Sequence, residues 1–542
     1  MDHDIATSAS RQPGPQLLDL PNEVILLILL QPDLPSDALL FLSMLSTRLH
    51  HLALPIYFER HGIDDPVQKA EFTILDSRRD PLSALQMALF VPAIANISCA
   101  LPHYQTSTVH PLFPHIRRFR TLIARLTSVS KVTLVLDTPD SICGVVGDGI
   151  ETWASEFGEL LNIILKRGCT SLVLRYGMFF SQAYELRPAR LGARPVNAFW
   201  SAVRHMLSDS SVTPSEEWGI FQVSSNANAT PMELDSEGRT SSTLTHFKIE
   251  SSMPLLPPCF SWSLSALQHS PIACLEFVGV TLPTKIWSAV LPCIASLVPT
   301  LTELNLSDLY GISGSDILLF LAKLPRLIVL TIGYTEYSRH VQSSCPDSGF
   351  LPVPKLYHLT TLRAPSTFVS HFLKKPLPSL TSLCISPRRL ILGFRGMRHI
   401  GRSVSDIVRR LEKHKSAPTI SLEILLGRES DVEMAVDLAV VPGDAELLTA
   451  LRKITRLVIH SDPDVAVPAL ATLARWIALF PALLHVSLRV RAADAWATIA
   501  NAQTISEQSP NVRWLELNGK LFDTENAARR PVIREISPFI GL

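Results

Sequence analysis

Net charge is the first thing this chain lacks: 49 Lys and Arg are matched by 49 Asp and Glu among 542 residues. No global field pulls it toward nucleic acid or an anionic membrane, and neither is expected as a partner. Its eight cysteines form no Cys-x-x-Cys pair and several sit in apolar runs. They read as small buried hydrophobes in a reducing compartment, not as a disulfide framework. No segment reaches the roughly 18 apolar residues of a membrane helix, and residues 1–16 carry neither a basic start nor an apolar signal core. The expectation is a soluble protein of the cytoplasm and/or nucleus. Gly-x-Ser-x-Gly, His-Glu-x-x-His and the P-loop are missing too. With no catalytic constellation in sight, the chain is expected to be no enzyme and to need no cofactor or metal.

What is present begins at Leu20-Pro21-Asn22-Glu23-Val24. Pro21 suits a helix start, and Glu23 complements the positive end of the helix dipole. Val24 to Leu30 is then almost unbroken apolar sequence, too full for one face of a surface helix and too short for a bilayer. Pro32 and Pro35 break it. Ser36 and Asp37 can start a second helix bearing Leu39, Leu40, Leu42 and Leu45, and Ser46 can cap a third bearing Leu49 and Leu52. Three short helices cannot enclose a core of their own size, so a partner or a following domain must cover them.

The order Leu-Pro-x-Glu-Val, Ile28-Leu29, a proline elbow, an apolar helix and Ser46-x-Arg48-Leu49-x-x-Leu52-Ala53-x-Pro55 resembles the F-box as found in fungal F-box proteins. The resemblance covers about residues 17–60. Many F-boxes carry a Trp in the third helix, where this chain reads Leu49-His50-His51. F-boxes dock onto the adaptor subunit of cullin-RING (SCF-type) ubiquitin ligases, so the resemblance implies that subunit and the cullin as partners. It assigns the adaptor contact to Leu20, Pro21, Val24, Ile28, Leu29, Leu45 and Leu49. An ordinary helical bundle that opens Leu-Pro is the alternative.

Further on, an apolar-x-x-apolar-x-apolar pattern recurs: Val129/Val132/Leu134, Leu244/Phe247/Ile249, Ile272/Leu275/Phe277, Leu301/Leu304/Leu306, Leu327/Leu330/Ile332, Leu359/Leu362/Ala364, Leu380/Leu383/Ile385, Ile454/Leu457/Ile459, Leu483/Val486/Leu488 and Val512/Leu515/Leu517. From Phe247 the middle residues step by 28, 29, 26, 32 and 21, and from Leu457 by 29 and 29. Leucine-rich repeats have periods of about 20–29. A proline often stands just ahead of the match, as at Pro271, Pro299, Pro325, Pro378, Pro481 and Pro510. Helical patterns fill the gaps, and each strand plus helix has one apolar face that only a neighbouring repeat can bury.

These repeats resemble the leucine-rich-repeat fold, with Leu309 and Thr335 where that family usually has Asn or Cys at the turn. An ordinary βαβ domain is the alternative. The expected fold class is an α/β solenoid of irregular leucine-rich repeats, parallel strands on its concave face and helices outside, preceded by a small all-α F-box. The expected organisation is a disordered tail 1–16, an F-box-like domain 17–62, a helical linker 63–125, a repeat solenoid 126–525 with loop insertions at 208–243 and 335–355, and a tail 526–542.

Positions between the apolar ones of each strand should face away from the core: Lys248, Glu276, Glu303, Asn305, Thr331, Thr361, Arg363, Arg456, His485, Ser487, Trp514 and Glu516. Their mixed charge suits a protein substrate better than a phosphate polymer. Trp514 stands out, because an exposed Trp beside a Glu is an unusual use of a residue enriched in binding hot spots. The basic stretch 388–415 is followed closely by Glu429, Asp431, Glu433 and Asp437, and reads as a salt-bridged solvated helix. His460-x-Asp462-Pro463-Asp464 reads as turn chemistry. The expected function is substrate recognition for an SCF-type ubiquitin ligase. The alternative is a repeat scaffold without a ligase.

Overall fold

The computed structural model describes residues 17–75, 80–102, 110–136, 149–177, 184–186, 220–223, 232–236, 239, 242–333, 335–336, 353–386, 406–411, 418–426, 451–461, 470–489, 499–523 and 534–536. The chain divides into two compact units, Met1–Ala183 with Val223–Leu244 and Leu256–His269, and Tyr184–Gln222 with Thr245–Leu255 and Ser270–Leu542.

The first unit opens with three short helices, α1 (Asn22–Leu29), α2 (Ser36–Ser43) and α3 (Thr47–Arg60). Pro21 and Pro35, each held in extended backbone, stand just ahead of α1 and α2. Ser46 caps α3 by accepting the Leu49 N–H. Two arginines of α3 hold the chain around α1. Arg48 donates to Asn22 Oδ1 at 2.7 Å and to the Leu18 and Leu20 carbonyls at 2.6 Å each. Arg60 donates to the Leu34 carbonyl and to those of Gln31 at 2.7 Å and Leu29 at 3.3 Å. The carbonyls at a helix C-terminus have no partner within the helix, so Arg60 meets a need that the end of α1 creates.

Four parallel strands follow, β1 (Lys69–Thr73), β2 (Ile94–Ala100), β3 (Val129–Leu136) and β4 (Ser171–Tyr176). The intervening helices are α4 (Pro81–Met87), α5 (Phe113–Arg125) and α6 (Ile150–Lys166). Register lines up Ala70, Ile97, Val132 and Leu172, and beside them Phe72, Cys99, Leu134 and Leu174. All eight are buried. The segment 63–125, expected to be a helical linker, therefore contributes two strands as well as two helices: strand–helix alternation begins near Lys69, not at 126. Helix α7 (Phe260–His269) belongs to this unit as well.

Part of the expected loop insertion 208–243 is packed instead of free. Met232 and Leu234 are buried, and Met232 lies against Gly158 of α6 and the Cys259 thiol. Asn162 of α6 ties this piece to α7, donating to the Glu233 carbonyl at 3.1 Å and accepting from Trp262 Nε1 at 2.8 Å. A two-stranded sheet pairs β5 (Tyr184–Leu186) with β6 (Phe221–Val223). Residues 208–219, 224–231, 237–238 and 240–241 of that insertion, residues 337–352 of the second one, the tails 1–16 and 526–542 apart from 534–536, and the basic stretch 388–415 apart from 406–411 lie outside the described residues, as do Asp462 and Asp464.

The second unit is a parallel ladder. Its strands, in order, are β7 (His246–Glu250), β8 (Cys274–Val278), β9 (Glu303–Ser307), β11 (Val329–Ile332), β13 (Thr361–Pro365), β14 (Ser382–Ser386), β15 (Thr419–Leu426), β16 (Ile454–Ser461), β17 (His485–Arg489) and β18 (Trp514–Leu517). Antiparallel β19 (Lys520–Asp523) and β20 (Arg534–Ile536) close it. Helices α8 (Thr284–Leu297), α9 (Gly314–Leu321), α10 (Ser366–Phe372), α11 (Leu470–Ile477) and α12 (Ile499–Gln508) lie in the connections. One buried row runs through register: Phe247, Leu275, Leu304, Leu330, Leu362 and Leu383. A shift between Ile420 and Ser421 of β15 interrupts it, and Leu422, Leu457, Val486 and Leu515 resume it. This is an α/β solenoid: each strand–helix repeat buries its apolar face on the next.

The irregular turns have their own solution. In place of an Asn or Cys side chain, Leu309 and Thr335 open two short strands, β10 (Leu309–Tyr310) and β12 (Thr335–Glu336), which pair with each other. Backbone bonds carry the descent: Tyr310 N–H to the Val280 carbonyl at 3.0 Å and Gly279 N–H to the Ser307 carbonyl at 3.0 Å.

Candidate protein-binding faces

Helix α1 is apolar on two sides, and the two sides have different fates. Ile25 and Leu29, four apart, are buried against the rest of the unit, while Val24, Leu27 and Ile28 lie on the outside. Helix α2 and the turn after it repeat the arrangement, with Leu39 and Leu40 buried and Phe41, Met44 and Leu45 exposed. Leu27 is 64% and Phe41 62% exposed, which leaves in water apolar area whose burial would be favourable. Large exposed apolar surface of this kind marks interaction sites.

Of the residues that the F-box resemblance assigns to the adaptor contact, Pro21, Val24, Ile28 and Leu45 are exposed and Leu20 is half-buried. Leu29 and Leu49 are each only 1% exposed and hold the segment together from inside, so they cannot touch a partner. Leu27, Leu30, Phe41 and Met44 are also exposed and are not among the assigned residues. Once Ile25 and Leu29 are known to be buried, helical spacing turns positions 24 and 27 away from them, but an almost uniformly apolar helix does not itself show which side is buried.

On the repeat ladder the face opposite the buried row is polar, and register gathers it into clusters. Lys248, Glu276 and Asn305 are laterally paired on β7, β8 and β9. Glu276 accepts from Asn305 Nδ2 at 3.1 Å and bonds His246 Nε2 at 2.9 Å. Asn305 Oδ1 in turn accepts from Ser307 at 2.5 Å. Lys248 reaches Glu250 at 2.7 Å and Glu276 at 3.8 Å. Thr331, the next residue in that row, and Thr361 are half-buried, while Glu303 is exposed.

Arg363 belongs to a second cluster that the sequence did not reveal. Its Nε and Nη2 grip the two carboxylate oxygens of Glu423 at 3.0 and 2.6 Å, and His460 Nε2 meets Oε1 at 2.7 Å. Burial pushes the Glu423 carboxyl up, but the His460 hydrogen bond and the Arg363 charge outweigh it, and the group is held below its ordinary value. Glu423 stayed hidden because β15 was not among the pattern matches. Farther along, Arg456 is exposed and pairs in register with half-buried His485, whose imidazole burial and Arg456 push down. Trp514 is 38% exposed. Glu516 lies 3.9 Å from Arg489. Ser487 was expected on this face but is 1% exposed, covered between β16 and β18, and its hydroxyl has no protein partner among the described residues. It is excluded from any open contact surface.

The described thiols have no disulfide partners. Burial pushes Cys169 and Cys293 up to about 12. Among the described residues no helix is long and apolar enough to cross a membrane.

No family model matches this chain, and no curated protein matches it. Among solved structures it is similar to the leucine-rich repeat-containing protein LegL7 from Legionella pneumophila, 14% identical with a TM-score of 0.33 over 82% of this chain and 98% of that one. It is also similar to the Toll–Spatzle complex of Drosophila, 10% identical with a TM-score of 0.28 over 84% of this chain and 44% of that one.

Proposed function

We propose that the chain is a substrate-recognition adaptor: its N-terminal helices dock as an F-box on the adaptor subunit of a cullin-RING ubiquitin ligase, and its repeat ladder holds a protein substrate. The observation that carries the reading is the outward apolar face of α1 and α2, at residues 24, 27, 28, 41, 44 and 45, on a helical segment whose own contacts are already made by Ile25, Leu29, Leu39 and Leu49. Such a face needs a protein to cover it. The mixed polar ladder face supports a protein substrate, since its acids and bases neutralise one another locally. In this role the chain supplies position and no catalytic residue, and proximity alone accelerates transfer.

Leu27→Asp with Phe41→Asp tests the docking. Both side chains are exposed, so the variant should keep its stability within about 0.5 kcal/mol. Co-purification with the ligase adaptor subunit should fall at least tenfold. Leu20→Ala with Pro21→Ala should weaken the same complex. Recovery of the full complex from the Asp double variant, or no adaptor with the wild-type chain, would leave a scaffold without a ligase as the better account.

A further inference from the structure

The polar ladder face of the second unit carries a cluster whose donor set suits a chemistry beyond contact with a protein substrate. His246 on β7 is the lateral partner of Cys274 on β8, and Glu276 follows two residues later on the same face of that strand. One ligand atom from each lies within 4.8 Å of the other two, and His246 Nε2 is already 2.9 Å from Glu276 Oε1. We propose that His246, Cys274 and Glu276 form a binding site for a borderline-soft divalent metal ion of the zinc type, clipping two neighbouring repeats together.

Donor chemistry selects the ion class. One imidazole nitrogen, one thiol sulfur and one carboxylate oxygen make a mixed set that zinc accepts, whereas calcium and magnesium call for oxygen donors throughout. With bonds of about 2.3 Å to sulfur and about 2.0–2.2 Å to nitrogen and oxygen, a tetrahedral ion holds its donors roughly 3.3–3.8 Å apart. Entry therefore widens the His246–Glu276 contact by about half an ångström and draws the thiol in by up to about an ångström. All three residues are partly exposed, which leaves an approach from solvent. Glu303 is laterally paired with Cys274 and adds a second negative group at the edge of the site. The nearby cation, Lys248, is 2.7 Å from Glu250 but 3.8 Å from Glu276, so its closer partner lies outside the cluster.

Proton balance follows from the same neighbours. Burial first, and then the charges of Glu276 and Glu303, push the Cys274 thiol up to about 12. The thiol is protonated near neutral pH, so ligation breaks the S–H bond, forms the metal–sulfur bond and releases one proton to solvent. Binding should therefore tighten as pH rises.

The test uses the full chain, reduced without added thiols, stripped with chelator and titrated with Co²⁺ as a spectroscopic stand-in for Zn²⁺. One equivalent should bind with a thiolate-to-cobalt charge-transfer band that Zn²⁺ abolishes and that strengthens with pH. Cys274→Ser should remove the band. His246→Ala should weaken binding at least as much as the roughly 10–100-fold cost of losing an outer-sphere partner. Cys384→Ser, a control on another strand of the same face, should keep both band and affinity. Glu276→Gln serves as the second ligand variant if Cys274→Ser does not fold. No band in the wild type, a band that survives Cys274→Ser, or unchanged affinity in His246→Ala would each overturn the site.

Discussion

Glu423 sits at a position where a carboxylate must be matched from both sides. Only 9% of its side chain is exposed, yet Arg363, two strands away, forks onto both its oxygens while His460 takes one of them from the next strand. Glu423→Gln keeps the shape and removes the charge. Because Arg363 is 47% exposed and can return to water, the expected loss is about 1–2 kcal/mol, below the roughly 3–5 kcal/mol of a fully buried pair. The folded carboxyl lies below its ordinary value of 4.5. Its contribution is therefore complete above pH 4.5 and disappears as pH falls through the folded value. Denaturant titrations should find the wild type and Glu423→Gln well separated at pH 7 and converging as the pH falls below 4.5 and through the lower folded value. Parallel curves across that range would show that the pair contributes nothing through its charge.

At the scale of an element, the turns between repeats make a sharper demand than the strands. Gly311 has φ +77°, and a Cβ there would lie 2.0 Å from the Leu282 carbonyl oxygen, whereas Gly279 has φ +69° and open space around it. Left-handed backbone alone costs about 1–2 kcal/mol in a residue other than glycine. Gly279→Ala should lose about that much, and Gly311→Ala clearly more, since it must also separate β10 from the chain below it. Thermal melts of the two variants decide the order, and equal losses would refute the close approach.

The elements also show why some strands were legible and others were not. Each of the ten pattern matches coincides with a strand. Strands β1, β2, β4 and β15 are not among those matches, although Val67/Ala70/Phe72, Ile94/Ile97/Cys99, Cys169/Leu172/Leu174 and Ala417/Ile420/Leu422 fit the same spacing. Ala and Cys there stand where the other repeats use leucine. Ala70 and Cys99 are as fully buried as any leucine of the ladder, so the rule concerns burial at fixed spacing and not the identity of the residue.

For the whole molecule, a repeat ladder makes stability local, because each repeat rests mainly on its neighbours. Leu330→Ala empties a fully buried position and should cost about 2–5 kcal/mol. Amide exchange should quicken in β11 and in the adjacent β9 and β13, while β16 to β18, several repeats away in the same unit, keep their protection. A uniform rise along the unit would mean a single cooperative block.

Read alone, the sequence determined the repeat, its period and the helical start at Pro21, because these depend on spacing within one strand or one turn. It could not decide which face of an almost uniformly apolar helix looks outward. Ile25 and Ile28 are the same residue type three positions apart, and only packing on α3 separates the buried one from the exposed one. Nor could it join Arg363 to Glu423 and His460, or His246 to Cys274 and Glu276. Those partners are 28 or more residues apart along the chain, and strand register alone brings them within reach.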